Sequence, residues 1–266
     1  MINTGAEFED EDVASAYIDR PDYPTALHQR LLDLTHSRTR VLDLGCGPGK
    51  LARSLAPYFT EVLAVDPSAA MLRVGRELDA GAHPQIQWVN ARAEDLSLEH
   101  AAIDLAVAGA SLHWMDPAVL FPKLARALTP GAVLAVVDGD APTAAPWLDA
   151  YQAVIVAWVE RSGDTWNGPA HRELMSRHEP WLDVQGRETF TLQVRQPLEA
   201  LIACQHSRAT WARSKMGGSA EAFDADLHAA LAPWSDNGQL AFEVRSSLIW
   251  GQPRLAPLDP PPRHPR

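Results

Sequence analysis

The chain has 266 residues, an apolar fraction of 46% and a formal net charge of −11 at pH 7. This length suits one large α/β domain, or one domain with an insertion. The negative charge argues against a nucleic acid partner, because phosphate backbones are bound by clustered Lys and Arg. The sequence has no stretch of about eighteen uncharged apolar residues, so a membrane span is not expected. Its two cysteines cannot form a disulfide framework, and we therefore expect a cytoplasmic protein.

Residues 1–36 are predicted to form N-terminal helices. Apolar residues at helical spacing indicate one helix over residues 11–20 and another over residues 24–35. Between them the sequence Arg20-Pro21-Asp22-Tyr23-Pro24 must turn, because each proline fixes its own φ and restricts the residue before it.

Strands and helices then alternate over residues 37–140, which we predict to be the cofactor-binding core. Five strands are predicted, over residues 40–44, 61–65, 85–89, 103–108 and 132–137. Helices are predicted over residues 48–57, 67–79 and 117–128. Such alternation is typical of a doubly wound, mostly parallel α/β sheet with a Rossmann-like layout.

The alternation pauses after residue 140. Residues 141–187 are predicted to form a helical substrate cap inserted after strand five, because the pattern is helical from residue 143 to 181. Residues 188–254 are predicted to complete a seven-stranded sheet, with strands over 188–195 and 240–250 and helices over 197–212 and 219–231. The tail, residues 255–266, contains five prolines and is expected to be disordered.

The turn after the first strand, within residues 41–50, is the most informative segment. Glycines at alternate positions from Gly45 to Gly49 let the backbone approach a ligand, at the strand ends where doubly wound sheets bind ligands. A dinucleotide fingerprint would have its third spaced glycine at Lys50. Asp43 precedes the turn, and a carboxylate there repels a pyrophosphate but attracts an amino group. The turn therefore favours S-adenosylmethionine over NAD.

The next strand end carries a second acidic residue. Asp66 follows Asp43 by 23 residues. This spacing roughly matches the place where a carboxylate binds ribose hydroxyls in nucleotide-binding βαβ units. The sequence therefore predicts a nucleoside-type ligand across the first two strand ends.

These features resemble the class I S-adenosylmethionine-dependent methyltransferases. Residues 41–50 resemble motif I of that family, and residues 20–24 resemble the Arg-Pro-x-Tyr-Pro segment of its type-11 branch. That segment closes over the cofactor in the family, so the resemblance implies that the N-terminal helices of residues 1–36 do the same. Leu112-His113-Trp114-Met115-Asp116 is similar to the Leu-His-Trp-x-Asp segment that follows strand four. Trans-aconitate-type methyltransferases, which act on small molecules, have the same landmarks. The resemblance covers roughly residues 14–249.

The resemblance implies a cofactor site. Asp43 would orient the turn or the methionyl amino group, Asp66 would bind both ribose hydroxyls, and Ala93 with Glu94 would recognise the adenine edge. The implied cofactor-binding residues are Tyr17, Arg20, Asp43, Gly45, Cys46, Gly47, Asp66, Pro67, Met71, Ala93, Glu94, Ala108 and Gly109.

The acceptor site is less well specified. His113 follows strand four, where the family has its reaction centre, and is the candidate catalytic base; a structural role is the alternative. Seven of the nine tryptophans come after residue 140, which indicates either an apolar substrate pocket or the packing of a cap. The predicted substrate residues are His113, Trp114, Trp147, Trp166 and Arg172.

We predict no metal site, because no Cys or His pattern has metal-ligand spacing.

The resemblance implies an enzyme that transfers a methyl group from S-adenosylmethionine to an oxygen or nitrogen of a small molecule. A carboxylate acceptor and a role in natural product biosynthesis are included in this expectation. Two alternatives stay open: a non-methylating reaction on the same fold, of the pericyclase or hydroxylase type, and a non-catalytic cofactor-binding module. We expect a monomer or homodimer with no nucleic acid or membrane partner.

Overall fold

The computed structural model describes residues 8, 10–162 and 177–258, and its centre is one sheet of eight strands within these ranges. The strands are β1 Arg40–Leu44, β2 Glu61–Asp66, β3 Ile86–Asn90, β4 Leu105–Gly109, β5 Leu134–Asp138, β6 Pro142–Ala144, β7 Leu182–Pro197 and β8 Gln239–Pro253. Their order is β3-β2-β1-β4-β5-β8-β6, and β7 pairs with β8. The predicted α/β fold class with a doubly wound, mostly parallel sheet is confirmed, with eight strands in the described ranges instead of the predicted seven. The helical cap stays a prediction.

The first five strands are mutually parallel, while β8 pairs antiparallel with β5, β6 and β7. Parallel neighbours require crossover connections, which the helices between them supply. As a result, the carboxyl ends of β1, β2, β3 and β4 meet along one edge of the sheet. A ligand site at that edge is expected for this topology.

Helices cover both faces of the sheet and form the C-terminal layer. They are α1 Glu11–Ala16, α2 Thr25–Asp33, α3 Lys50–Leu55, α4 Ala69–Asp79, α5 Pro117–Ala127, α6 Leu148–Arg161, α7 Leu198–Ala203, α8 Arg213–Met216 and α9 Ala220–Leu231. Side chains cap the starts of three helices: Asp10 accepts the Asp12 amide before α1, Ser68 accepts the Met71 amide before α4, and Asp116 accepts the Ala118 amide before α5. Pro117, at the first position of α5, has no backbone N–H and therefore leaves no unpaired donor there.

Apolar side chains on each face of the sheet form separate buried clusters. On one face Leu27 of α2 and Leu51 of α3 pack on the strands, and on the other Phe121 of α5 packs against Leu42 and its neighbours. A third cluster joins α6, α7 and α9 to the ends of β7 and β8, with Trp147 and Phe223 fully buried. The C-terminal half therefore has its own apolar core beside the sheet.

Two sequence predictions for this half are wrong. Residues 142–144, expected within a helical stretch, form β6, because they pair with β8, the strand that also pairs with β5. The helix predicted over 197–212 ends at Ala203 and gives way to 3-10 turns that begin at Cys204–Ser207. The other predicted strands and helices occur with shifted ends; β7 is much longer than predicted because β8 pairs with it along its length.

The predicted domain boundaries stay a prediction. The predicted cap, residues 141–187, is described only in part, as β6, α6, the 3-10 turn Glu179–Trp181 and the start of β7. Most of the tail lies outside the described residues. Across the described ranges, no helix has both the length and the apolar character required to cross a membrane.

Candidate functional site

The glycine turn follows β1 and has a left-handed backbone at alternate residues. Gly45, Gly47 and Gly49 have φ values of +64°, +53° and +79°, which non-glycine residues rarely adopt. A Cβ on Gly45 would lie 2.5 Å from the Ser111 side chain, whereas a Cβ on Gly47 would meet nothing within 4 Å. Packing therefore requires glycine at position 45, while at position 47 the backbone faces open space.

Asp66, at the end of β2, links that strand to the glycine turn. Its carboxylate oxygens accept hydrogen bonds from the backbone amides of Gly47 and Ser68, each at 2.8 Å. Burial raises the pKa of Asp66, and these two amide bonds oppose the rise. The carboxylate is therefore held at the mouth of the turn by two amides, with lone pairs left for further donors.

Asp43, at the end of β1, lies below the turn and is only 1% exposed. Its carboxylate accepts a hydrogen bond from the Ala52 amide of α3 at 2.9 Å. Burial raises the pKa of Asp43 to about 7, the Ala52 bond lowers it, and the Asp66 carboxylate raises it further. A nearby cation would favour the ionised form of this group.

Glu94 lies in a 3-10 turn, Ala93–Asp95, after β3. Its carboxylate accepts the Asp116 amide at 2.9 Å and a bond from Arg92 at 3.3 Å. Burial raises the pKa of Glu94, but the Asp116 amide, a further amide bond and Arg92 outweigh it, so the pKa lies below its usual value. Glu94 is therefore ionised at neutral pH.

The segment after β4 closes another side of the site. Ser111 donates a hydrogen bond to the Leu44 carbonyl at 2.5 Å, which ties this segment to β1. Trp114 packs edge-to-face against Phe8, with ring centres 5.8 Å apart. The N-terminal residues thus contribute an aromatic side chain to the wall.

These elements surround one pocket of about 710 Å³, a volume that includes its open mouth. Its size is typical of sites for small molecules and cofactors. It is lined by Phe8, Tyr17, Gly45, Gly47, Asp66, Pro67, Met71, Arg92, Ala93, Glu94, Gly109, Ala110, Ser111, Trp114 and Met115.

The structure brings most of the predicted cofactor residues to this pocket. Those along its wall are Tyr17, Gly45, Gly47, Asp66, Pro67, Met71, Ala93, Glu94 and Gly109. Four others, Arg20, Asp43, Cys46 and Ala108, are not part of the wall. Asp43 and Ala108 are buried beneath it, and Arg20 lies behind Tyr17, with its guanidinium 4.1 Å from the ring centre. Which of these residues bind the cofactor stays a prediction.

The predicted substrate residues divide differently. Trp114 lines the pocket, whereas His113 is buried, outside the pocket wall, with its ring 4.7 Å from that of Trp114. Trp147 is 1% exposed, packs against Phe242 with ring centres 5.6 Å apart, and donates its indole N–H to the Ala241 carbonyl. Trp147 is therefore a core residue of the C-terminal half, which corrects its assignment to the substrate. Trp166 and Arg172 lie outside the described residues.

Some wall residues were not predicted from sequence. Arg92, Ala110, Ser111 and Met115 lie within two positions of predicted residues in the same loops. A prediction that included each whole loop would have contained them. Phe8 had no such signal, because the first ten residues have no periodic pattern that would indicate order.

A family model described as a methyltransferase domain matches residues 41–131, from the glycine turn to the end of α5 and just beyond. The carboxylates Asp66 and Glu94 and the segment after β4 lie within this range. Residues 41–131 of the chain are therefore a methyltransferase domain. This match supports S-adenosylmethionine as the cofactor, as predicted from sequence.

Three relatives are similar to this chain over different shares of its length. A solved structure from Anaeromyxobacter dehalogenans, described as a candidate type II methyltransferase, is 28% identical, with a TM-score of 0.69 over 90% of this chain and 99% of that one. The Saccharomyces cerevisiae protein CRG1, described as a probable S-adenosylmethionine-dependent methyltransferase, is 35% identical over 41% of this chain and 39% of its own length. Trans-aconitate 2-methyltransferase from Azoarcus sp. is 41% identical over 36% of this chain and 37% of its own length.

The alignments with the two named curated relatives therefore span less than half of their lengths. Within the described ranges no group of three or more His, Cys, Asp or Glu side chains is placed to hold a metal ion.

Proposed function

We propose that this chain transfers the methyl group of S-adenosylmethionine to a small molecule, with a carboxylate oxygen as the first candidate acceptor atom and other oxygens or nitrogens as further candidates. The observation that carries this proposal is the pocket itself. It collects the glycine turn, the Asp66 carboxylate and the Glu94 carboxylate at three neighbouring strand ends.

The wall fits this cofactor in shape and in hydrogen bonding. The open space at Gly47 permits close approach to the backbone. Asp66 keeps acceptor capacity for two ribose hydroxyls, and the ionised Glu94 can accept from an adenine amine. Apolar groups such as Met71 and Pro67 lie between them. Together these groups would bind a nucleoside across the ends of β1, β2 and β3.

The sulfonium of S-adenosylmethionine supplies an activated methyl group. In the transfer, a lone pair of the acceptor atom forms the new bond to the methyl carbon while the carbon–sulfur bond breaks and its electrons remain on sulfur, which gives S-adenosylhomocysteine. The chain's contribution is to align the acceptor with that bond and to exclude water, and proximity alone can supply much of the acceleration.

An acceptor that has no proton to lose is the first candidate, because its methylation needs no general base. The described wall contains no histidine, and the ring of His113 is buried beside it. A carboxylate attacks without a general base, whereas a phenol or ammonium must first lose a proton. The relative named trans-aconitate 2-methyltransferase is consistent with a carboxylate acceptor, although the similarity covers only 36% of this chain.

The proposal is tested by incubating the purified chain with methyl-labelled S-adenosylmethionine and a panel of carboxylic acids, phenols and amines. We expect label in at least one carboxylic acid, released as a methyl ester in a one-to-one ratio with S-adenosylhomocysteine. Conversion of a panel member while S-adenosylmethionine stays intact would instead identify a non-methylating enzyme. Cofactor binding without turnover across the panel would identify a binding module, and either result would overturn the proposal.

A further inference from the structure

The first residue of α3, Lys50, reaches from the glycine turn to the N-terminal segment, defined here as residues 17–21. Its ammonium donates hydrogen bonds to the carbonyl oxygens of Arg20, at 2.5 Å, and Pro21, at 2.6 Å. It also lies 5.9 Å from the centre of the Tyr17 ring, within the range of a cation–π contact. One side chain thus connects the turn to several residues of this segment.

The other side of the N-terminal segment is anchored to the C-terminal half. Arg20 donates to the Ser207 hydroxyl at 2.7 Å and to the Ser207 carbonyl at 3.0 Å, and it pairs with Asp140 at 3.1 Å. The carbonyl of Asp19 accepts a hydrogen bond from Gln196 at 2.6 Å. The segment therefore spans from the turn to the C-terminal half, and Lys50 provides its attachment to the turn.

We propose that Lys50 is a positioning residue that holds the N-terminal segment against the glycine turn, so that Tyr17 completes the wall of the cofactor pocket. Tyr17 lines this pocket, and the Arg20 guanidinium stacks on the outer face of its ring. The inference rests on the proposed function only in taking S-adenosylmethionine and its product as ligands of the pocket. It requires neither an acceptor nor turnover.

The cost of placing an ammonium here supports this role. Burial lowers the pKa of Lys50 to about 8, while the carboxylates of Asp140 and Asp22 oppose that shift and Arg20 adds to it. A buried charge is costly unless it is hydrogen-bonded or paired, and charge-assisted bonds are roughly twice as strong as neutral ones. An apolar side chain of similar length would fill the space without this cost. What the ammonium adds is its pair of bonds to the segment.

The test compares Lys50→Met, which keeps the length of the side chain, with Lys50→Arg, which keeps its charge. The matched control is Arg53→Met, because Arg53 is a cation on the same helix that bonds to the Pro48 carbonyl at 3.3 Å and not to the segment. Two quantities are measured without acceptor: amide hydrogen exchange of the free protein, and the Kd for S-adenosylhomocysteine by calorimetry.

For Lys50→Met we expect exchange at least 10-fold faster in residues 17–21, unchanged exchange in β1 and β4, and a Kd raised at least 10-fold. Lys50→Arg should recover much of the affinity, and Arg53→Met should match the wild type. If Lys50→Met does not fold, Lys50→Gln, which keeps a neutral donor, takes its place. This variant should show the same faster exchange in residues 17–21 and the same rise in Kd, with smaller changes in both.

Wild-type affinity in Lys50→Met, or exchange that quickens equally in the segment and in the core strands, would overturn the positioning role. A wild-type protein that binds no S-adenosylhomocysteine would contradict the proposed function instead. The two failures are thereby separated.

Discussion

The cofactor half of the chain, β1 to β5, and the C-terminal half, from β6 onwards, both bury polar groups but use them differently. In the cofactor half, the carboxylates of Asp66 and Glu94 are held by backbone amides at a pocket wall. In the C-terminal half, His206 lies between the Trp211 carbonyl at 2.6 Å and Asp224 at 2.7 Å, within the apolar layer. The first arrangement leaves acceptors for a ligand, while the second satisfies its groups internally.

The tryptophans show the same difference. Trp114 of the cofactor half lines the pocket, whereas Trp147, Trp158 and Trp211 of the C-terminal half are buried in its core. Aromatic residues alone therefore do not identify a ligand site, and Trp88 of the cofactor half also packs against the core. The comparison teaches that backbone shape at strand ends, more than composition, marks the site.

The largest expected effect is on the stability of the C-terminal half. Trp147→Ala should lower the free energy of unfolding by about 4 kcal/mol, because it leaves a cavity in a buried aromatic cluster and an unpaired Ala241 carbonyl. Its Kd for S-adenosylhomocysteine, measured below the unfolding transition, should stay within about 2-fold of the wild type. A large loss of affinity with unchanged stability would show that Trp147 serves the ligand after all.

The second prediction concerns pH and Asp43. Because the pKa of this carboxyl is about 7 in the folded protein and its ordinary value is 3.8, the folded state binds the proton more tightly. The stability that this provides is complete below about pH 4 and is lost as the pH rises to about 7. The loss should be roughly 4 kcal/mol, since the two pKa values differ by about 3 units and each pKa unit corresponds to about 1.4 kcal/mol.

Denaturant unfolding of the free protein between pH 4 and pH 8 measures this loss, with Asp43→Asn as the comparison. The asparagine oxygen can still accept the Ala52 amide, but it does not titrate. We expect the free energy of unfolding of Asp43→Asn to fall less between pH 4 and pH 8 than that of the wild type, by the loss assigned to Asp43. Parallel profiles for both proteins would show that Asp43 has an ordinary pKa in the fold.

The third prediction tests whether a carboxylate at the pocket wall differs from one in the C-terminal half. Asp66→Asn should raise the Kd for S-adenosylhomocysteine about 100-fold, because two charge-assisted bonds to ribose are lost. Asp224→Asn, which changes the partner of His206 and Arg213, should lower stability and leave the Kd unchanged. Equal effects of the two variants on affinity would remove the distinction between the halves.

The smallest expected effect comes from a matched pair of glycines. Gly47 and Gly81 both have positive φ, +53° and +76°, and open space at the Cβ position. Alanine at either position should therefore cost a similar amount of stability, about 1 kcal/mol. Only Gly47→Ala should weaken cofactor binding, by about 10-fold, since only this Cβ enters the pocket. Calorimetric titration of both variants checks this, and equal affinities would contradict a close approach of ligand and turn.

Sequence reasoning was most informative where short-range patterns determine the structure. The alternation of strands with helices predicted the parallel sheet, and residues at strand ends share one edge by topology, which is why Asp66 and Glu94 could be expected beside Gly47. These positions depend on local spacing and on a general rule for parallel sheets. Their contacts with the cofactor are still predictions.

The remaining features depend on contacts between residues far apart in the chain. The direction of the Trp147 side chain follows from β8, about a hundred residues away, so aromatic content alone assigned it wrongly. The length of β7 follows from pairing with β8 rather than from its own alternation. Phe8 and Lys50 act across the gap between the N-terminal residues and the sheet, and no local pattern predicts that contact.

The most direct test of the account is to map amide hydrogen exchange with and without S-adenosylhomocysteine. We predict that the ligand slows exchange in the glycine turn, in residues 66–68 after β2 and in the turn Ala93–Asp95, while α7 and α9 exchange as in the free protein. Protection centred on α7 and α9, with none in those three loops, would contradict the assignment of the cofactor to the strand ends of the methyltransferase domain.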